Sequence, residues 1–443
     1  MPRASIPRRV STALINSLGA GVVPRVGLEY IAVGRKNEIA ALLNDLENTS
    51  DGGACFRFVV GRYGSGKSFM LQLLRNYAMD RNFVVADADL SPDRRLAGGS
   101  NQGVATYREL MRNVSTKTRP DGGALAPVLE RWISNIQATV VKDTGMRPSD
   151  TGFGDAVETK ILDVITGMEG MVHGFDFAAV LSAYWRGYRL GEDNLRDAAL
   201  RWFRGEFATK TEARQKLDVR VIIDDTSWYD YIKLMAKFVS EIGYTGLLIL
   251  VDEAVNLYKI THRTARENNY EKLLSMFNDT MQGKAEYMSI VMAGTPQFLE
   301  DPRRGLYSYE ALRSRLAESR FVRDGMISVS GPIIRLETLT YEEIFLLLQR
   351  LAEVHRAHYR HDHRLAPQEL QAFMQEAVNR LGAEKLLTPR EVIRDFIAVM
   401  DILHQNPRLT WQQVVHSPDF QPTPPSRDPH LEQGEGEFAE FQL

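Results

Sequence analysis

Cysteine is almost absent: Cys55 is the only one in 443 residues. A single thiol excludes an internal disulfide and any cysteine-cluster metal site, which fits a reducing compartment. Long apolar runs are missing too. None reaches the roughly 18 residues that a membrane span needs, and the N-terminal segment lacks the apolar core of a signal peptide, so the expected location is the cytoplasm with no membrane partner. Neither sign of charge is in excess. With 54 Lys and Arg against 57 Asp and Glu the formal net charge is -3, so the chain as a whole does not advertise nucleic acid, and any such contact has to come from local patches. What remains, 44% hydrophobic and 25% charged residues, is the composition of a globular protein with room for more than one domain.

Against that background Gly61-Arg62-Tyr63-Gly64-Ser65-Gly66-Lys67-Ser68 stands out, because it fits the phosphate-loop pattern GxxxxGK[ST] at every fixed position. The apolar run from Phe56 to Val60 precedes it and Phe69 to Leu74 follows with helical spacing. The glycines therefore fall at a strand-to-helix turn, where free backbone N–H groups and the positive end of a helix dipole suit a triphosphate. Lys67 is expected on the terminal phosphates and Ser68 on magnesium, with Phe69 beginning the helix beside the ATP. Upstream, Val33-Gly34-Arg35-Lys36-Asn37-Glu38 leads into an amphipathic helix whose start, with Arg35, is expected beside the nucleotide base.

At residues 246–253 five consecutive apolar residues end in Asp252-Glu253. This is the form of a buried parallel strand with polar chemistry at its tip. Asp252 is expected to hold magnesium through water and Glu253 to polarise the attacking water. A competing strand, Val219 to Asp225, is interrupted by Arg220, and Asp225-Thr226-Ser227 reads as a helix cap. A third buried strand, Ser289 to Ala293, leads to Gly294-Thr295-Pro296. The Thr295 hydroxyl there either meets the terminal phosphate or closes a plain turn. Arg313, Arg315 and Arg320 follow in a short run; such arginines line a solvated face unless one reaches a neighbouring subunit's phosphate. Farther on, Thr388-Pro389-Arg390 opens a helix, and an arginine in a first turn opposes the dipole unless a ligand phosphate accounts for it.

The expected fold is α/β. Residues 1–30 form an N-terminal arm, 31–103 and 239–335 the two parts of the ATPase core, 104–238 a mainly helical insertion, 336–405 a helical lid, and 406–443 an unstructured Pro-rich acidic tail. His355, His358, His361 and His363 crowd the end of one lid helix. The insertion mixes Arg186, Arg189, Arg201, Arg204, Lys210, Arg214, Lys216 and Arg220 with Tyr184, Trp185, Tyr188 and Trp202, a combination that suits either DNA, through phosphates and stacked bases, or a packed core diluted by acids.

Together the Gly34-Arg35 entry, the phosphate loop, the Asp252-Glu253 strand, Thr295, the arginine run and Arg390 resemble the AAA+ ATPases of the ASCE class, closest in layout to the origin-recognition initiators. The resemblance implies a three-layer parallel sheet in which the Thr295 strand lies between the phosphate-loop strand and the Asp252 strand, with a helical lid after it. It also implies Thr295 as first sensor, Arg315 or Arg313 as arginine finger and Arg390 as second sensor. A narrower similarity rests on the phrases from Ala199 to Glu206, Ile223 to Thr226 and Gly243 to Leu247, which look like the ATP-binding proteins of BREX phage-defence systems, the BrxD-like family. That similarity implies ATP and Mg2+ as cofactors, a homo-oligomer, and defence-system partners that act on DNA. Two functions are compatible with it: an ATPase that switches or remodels an assembly, and a nucleotide-gated scaffold in which hydrolysis is slow.

Overall fold

The computed structural model describes residues 6–317, 328–361, 365–381, 388–417 and 420–424. Arg320, His363 and the acidic end of the tail lie outside them. In chain order the first elements are α1 (Arg8–Gly19), α2 (Leu28–Ile31), α3 (Lys36–Ser50), β1 (Ala54–Gly61), α4 (Lys67–Asp80) and β2 (Val84–Asp89). A helical stretch follows: α5 (Gln102–Arg112), α6 (Leu125–Thr144), α7 (Phe153–Glu169), α8 (Gly174–Leu190), α9 (Asp193–Phe203), α10 (Lys210–Leu217) and α11 (Trp228–Glu241). Then come β3 (Leu247–Asp252), α12 (Val255–Tyr258), α13 (Arg263–Met281), β4 (Met288–Gly294), α14 (Pro296–Glu300), α15 (Glu310–Leu316) and β5 (Ile333–Leu336). The last helices are α16 (Tyr341–Tyr359), α17 (Pro367–Leu381), α18 (Pro389–Gln405) and α19 (Trp411–Val415). Two compact units share these elements, the first made of Met1–Ile39, Val60–Leu73 and Arg335–Leu443, the second of Ala40–Val59 and Leu74–Ile334.

A parallel five-stranded sheet, in the order β2-β3-β4-β1-β5, forms the centre of the second unit. The implied insertion of β4 between β1 and β3 is present. β3 and β4 are apolar along almost their whole length because both of their faces are covered, and Asp252 at the end of β3 is the first residue of that strand to emerge from full burial. Register aligns Ala88 with Val251 and Asp89 with Asp252. At the opposite ends of the strands, the Thr49 and Ser289 hydroxyls share a buried 2.6 Å hydrogen bond that satisfies two groups which would otherwise be costly to bury.

Aromatic packing accounts for the helices between β2 and β3. Trp132 meets Phe238 edge-on at 5.4 Å, Phe177 meets Phe203 at 5.0 Å, and Trp202 meets Tyr231 at 5.2 Å. Tyr184, Trp185 and Trp202 are buried in this core. Three of the four aromatics weighed as a stacking platform therefore point inward and leave no faces for bases, while Tyr188 is half-buried. Residues 219–224 do not form a strand. Asp224 Oδ1 instead accepts from Thr226 N and Ser227 N at 3.0 and 3.1 Å, which makes the turn that leads into α11 with Ser227 at its N-cap position. Asp225 does a longer-range job, accepting from Val104 N at 2.8 Å in the first turn of α5.

In the first unit α1 packs on α16 and α18 through Leu14, Ile15 and Leu18, so this part of the N-terminal arm is built into the helical unit. Thr340 and Glu343 close a reciprocal cap that fixes the start of α16. Beyond residue 406, where an unstructured tail was expected, α19 forms because buried Trp411 packs against Phe373 and Phe396. Its Thr410–Gln413 capping box adds local support.

Candidate nucleotide site

The phosphate loop belongs to the first unit and lies between β1 and α4. Gly64 at φ +77 and Gly66 at φ +91 occupy the left-handed region that a side chain resists, which lets the backbone curl and present its N–H groups. Lys67 Nζ is folded back on this curl, donating to Gly61 O at 2.8 Å and Arg62 O at 2.9 Å. A lysine so placed lies where terminal phosphates would be gripped. Ser65 is buried under the loop, while Ser68 is exposed and Phe69 half-buried. Buried Arg35 donates to Ser65 O at 3.1 Å and to Glu337 O, and pairs with Glu38 at 3.6 Å. Its guanidinium braces the underside of the loop and ties it to the segment before α16. Arg390, in the first turn of α18, donates to the Tyr63 hydroxyl at 2.7 Å.

The second unit holds the acids. Glu253 sits at φ +58, a conformation that costs a residue with a Cβ on the order of 1 kcal/mol and is held by its surroundings. Those surroundings are visible: Glu253 N donates to Asp252 Oδ1 at 2.7 Å, Ala254 N to Ala293 O at 3.0 Å, and Asn256 Nδ2 to Leu90 O at 2.8 Å. Asp89 joins this group through the register of β2 with β3, and partial desolvation followed by the charges of Asp252, Asp87 and Glu253 raises its carboxyl above the ordinary range. Sequence reading missed Asp89. Its signal was the alternation of Asp87 and Asp89 at the end of a buried strand, which acquires meaning only once that strand is known to pair with β3. Like charges gathered at the tips of β2 and β3 thus add to burial in disfavouring the ionised Asp89. Asp224, by contrast, is committed: burial opposes its ionisation, but hydrogen bonds from Thr226 and Ser227 outweigh that and hold its carboxyl below the usual range.

Thr295 caps α14, its hydroxyl oxygen accepting from Phe298 N at 3.3 Å, so the turn role is filled while the hydroxyl proton stays available for another acceptor. Arg315 donates to Asn278 Oδ1 and to Ala311 O, both at 2.8 Å. Arg313 is exposed and, among the described residues, makes a long pairing with Glu310 at 3.8 Å and no other. Thr388 occupies the N-cap position of α18, but its side chain makes no capping bond. Among the described residues no group of three or more His, Cys, Asp or Glu side chains could hold a metal ion, the lid histidines included, because His355 is hydrogen-bonded to His361 at 2.9 Å and to Asp401 at 3.1 Å.

A family model described as BREX system ATP-binding protein BrxC/D matches residues 6–419. The chain belongs to this family. Membership in the BrxC/BrxD family implies an ATP-binding role in phage defence. No curated protein matches the chain. No helix among the described residues is long and apolar enough to cross a membrane.

Proposed function

We propose that this BrxC/BrxD family member is an ATPase that uses the nucleotide cycle to switch or remodel a cytoplasmic defence assembly. The observation that carries the reading is Lys67 folded onto the carbonyls of its own loop, taken with the strand-tip acids Asp252 and Glu253. Backbone N–H groups of residues 61–67 and the Lys67 ammonium bind and orient the triphosphate. Glu253 accepts a hydrogen bond from water, whose oxygen attacks the terminal phosphorus as the bond to the bridging oxygen breaks, yielding ADP and phosphate. Mg2+, held by Ser68 and through water by Asp252, would supply charge neutralisation across the phosphates. Thr295 would sense the terminal phosphate through its free proton, and Arg390 would do so from α18.

Both Arg313 and Arg315 are exposed, and for the finger contributed to a neighbouring subunit the loosely paired Arg313 is favoured over Arg315, whose guanidinium is engaged within its own chain. DNA contact, if made by residues 184–220, rests on charge and on half-buried Tyr188. Several of those charges are already paired, Arg201 with Glu212 at 3.2 Å and Arg204 with Glu206 at 3.7 Å. A second reading, a nucleotide-gated scaffold with slow hydrolysis, draws support from exposed Val172 and Phe175 near the turn between α7 and α8, which offer apolar surface to a protein partner. Multiple-turnover phosphate release with and without duplex DNA separates the two. A wild-type rate no faster than that of Lys67→Ala in every condition would leave only the scaffold.

A further inference from the structure

Arg390 and Tyr63 are 327 positions apart in sequence, yet their side chains share a 2.7 Å hydrogen bond. Tyr63 stands at the third position of the phosphate loop and is 43% exposed. Its hydroxyl is the only hydrogen-bond acceptor of the Arg390 guanidinium among the described residues, and no described carboxylate forms an ion pair with that guanidinium. The contact is seated by backbone as well: a Cβ at Gly64 would stand 3.2 Å from Thr388 Cβ, so the first turn of α18 rests against the loop itself. Arg390 thus holds a cation near the positive end of a helix dipole, where it is disfavoured, and among the described residues its hydrogen-bond partner is a neutral oxygen.

That arrangement invites exchange. A phosphate oxygen adds the attraction of opposite charges to the hydrogen bond and can accept two parallel N–H bonds from a guanidinium, neither of which a single neutral phenol offers. A terminal phosphate oxygen within reach would take Arg390 from the phenol, whereas a diphosphate, one phosphoryl group shorter, would leave Arg390 on Tyr63. We propose that Tyr63 is a specificity-determining residue that holds Arg390 until a terminal phosphate replaces its hydroxyl, and so sets how far the site separates ATP from ADP. The assignment rests on the nucleotide-site reading above. The phenol competes with ATP for one guanidinium and does not compete with ADP.

The test is a double-mutant cycle on the full chain, with dissociation constants for ATP and ADP measured by calorimetry in wild type, Tyr63→Phe, Arg390→Ala and the double variant. Tyr63→Phe is expected to tighten ATP about five-fold, the ratio that matches the net worth of one hydrogen bond, and to leave ADP unchanged. Arg390→Ala is expected to weaken ATP and not ADP. Adding Tyr63→Phe to Arg390→Ala should then change neither. Equal shifts for both nucleotides, no shift in Tyr63→Phe, or a gain that persists without Arg390 overturns the assignment while leaving ATP binding intact. Loss of saturable ATP binding in the wild type itself sinks the nucleotide reading, and the Tyr63 assignment with it.

Discussion

At the scale of single residues, the loop and the strand-tip acids should separate binding from turnover. Lys67→Ala removes the ammonium on the phosphates and is expected to abolish tight ATP binding, whereas Glu253→Gln keeps binding and stops turnover, because an amide fills the same space but cannot polarise water. Equilibrium binding and phosphate release on both variants check this. Turnover that survives Glu253→Gln would mean that another group activates the water. The backbone of Glu253 offers an independent check, since its φ of +58 suits glycine better than glutamate. Glu253→Gly should raise thermal stability by roughly 0.5–1 kcal/mol while abolishing turnover, and a melting curve set beside a rate assay would show a residue retained at the expense of stability. An unchanged or lower melting temperature would mean that the turn is not strained.

Elements of the lid carry their own consequences. Burial lowers the His355 imidazole from 6.5 to about 4, with His361 and His404 pushing the same way and the Asp401 carboxylate opposing them. Below pH 6.5 the unfolded chain takes up a proton that the folded helices α16 and α18 refuse, so stability falls as pH drops from 6.5 towards 4 and is level above that window. The full loss is at most about 3 kcal/mol. His355→Gln should flatten the dependence in denaturant melts run across pH, and a slope equal to wild type would place the titration elsewhere. Helix α1 is the other lever in this unit. Leu14 is fully buried against the lid helices, so Leu14→Ala is expected to cost about 2–5 kcal/mol. A change within experimental error would show that α1 is a dispensable leader.

On the scale of the whole molecule the prediction concerns assembly. If the site is completed by a neighbour, Arg313→Ala should lower turnover by about 10³-fold while leaving the ATP affinity of an isolated subunit unchanged, because the arginine acts on charge that develops in another chain's reaction. Mass photometry with ATP, ADP and no nucleotide gives the accompanying readout, an oligomer that depends on the triphosphate. Intact rates in both Arg313→Ala and Arg315→Ala, with a monomer under all conditions, would argue against a shared site.

Much of this architecture is written in contiguous residues. The phosphate loop, the buried strands β3 and β4 and the helices α16 to α18 are legible because glycine spacing, unbroken apolar runs and helical period are local signals that need no partner to be read. The order of the sheet followed from resemblance to a known layout. Everything that depended on distant partners had to wait for the folded chain. The burial of Trp185 and Trp202, the capping of α5 by Asp225 across 121 positions, the raised carboxyl of Asp89 and the bond between Tyr63 and Arg390 all arise from side chains brought together by packing. A sequence pattern can say that a residue faces inward or carries a charge. What it meets there is set by register and by the crossing of helices, and those are decided only when the whole apolar surface is buried together.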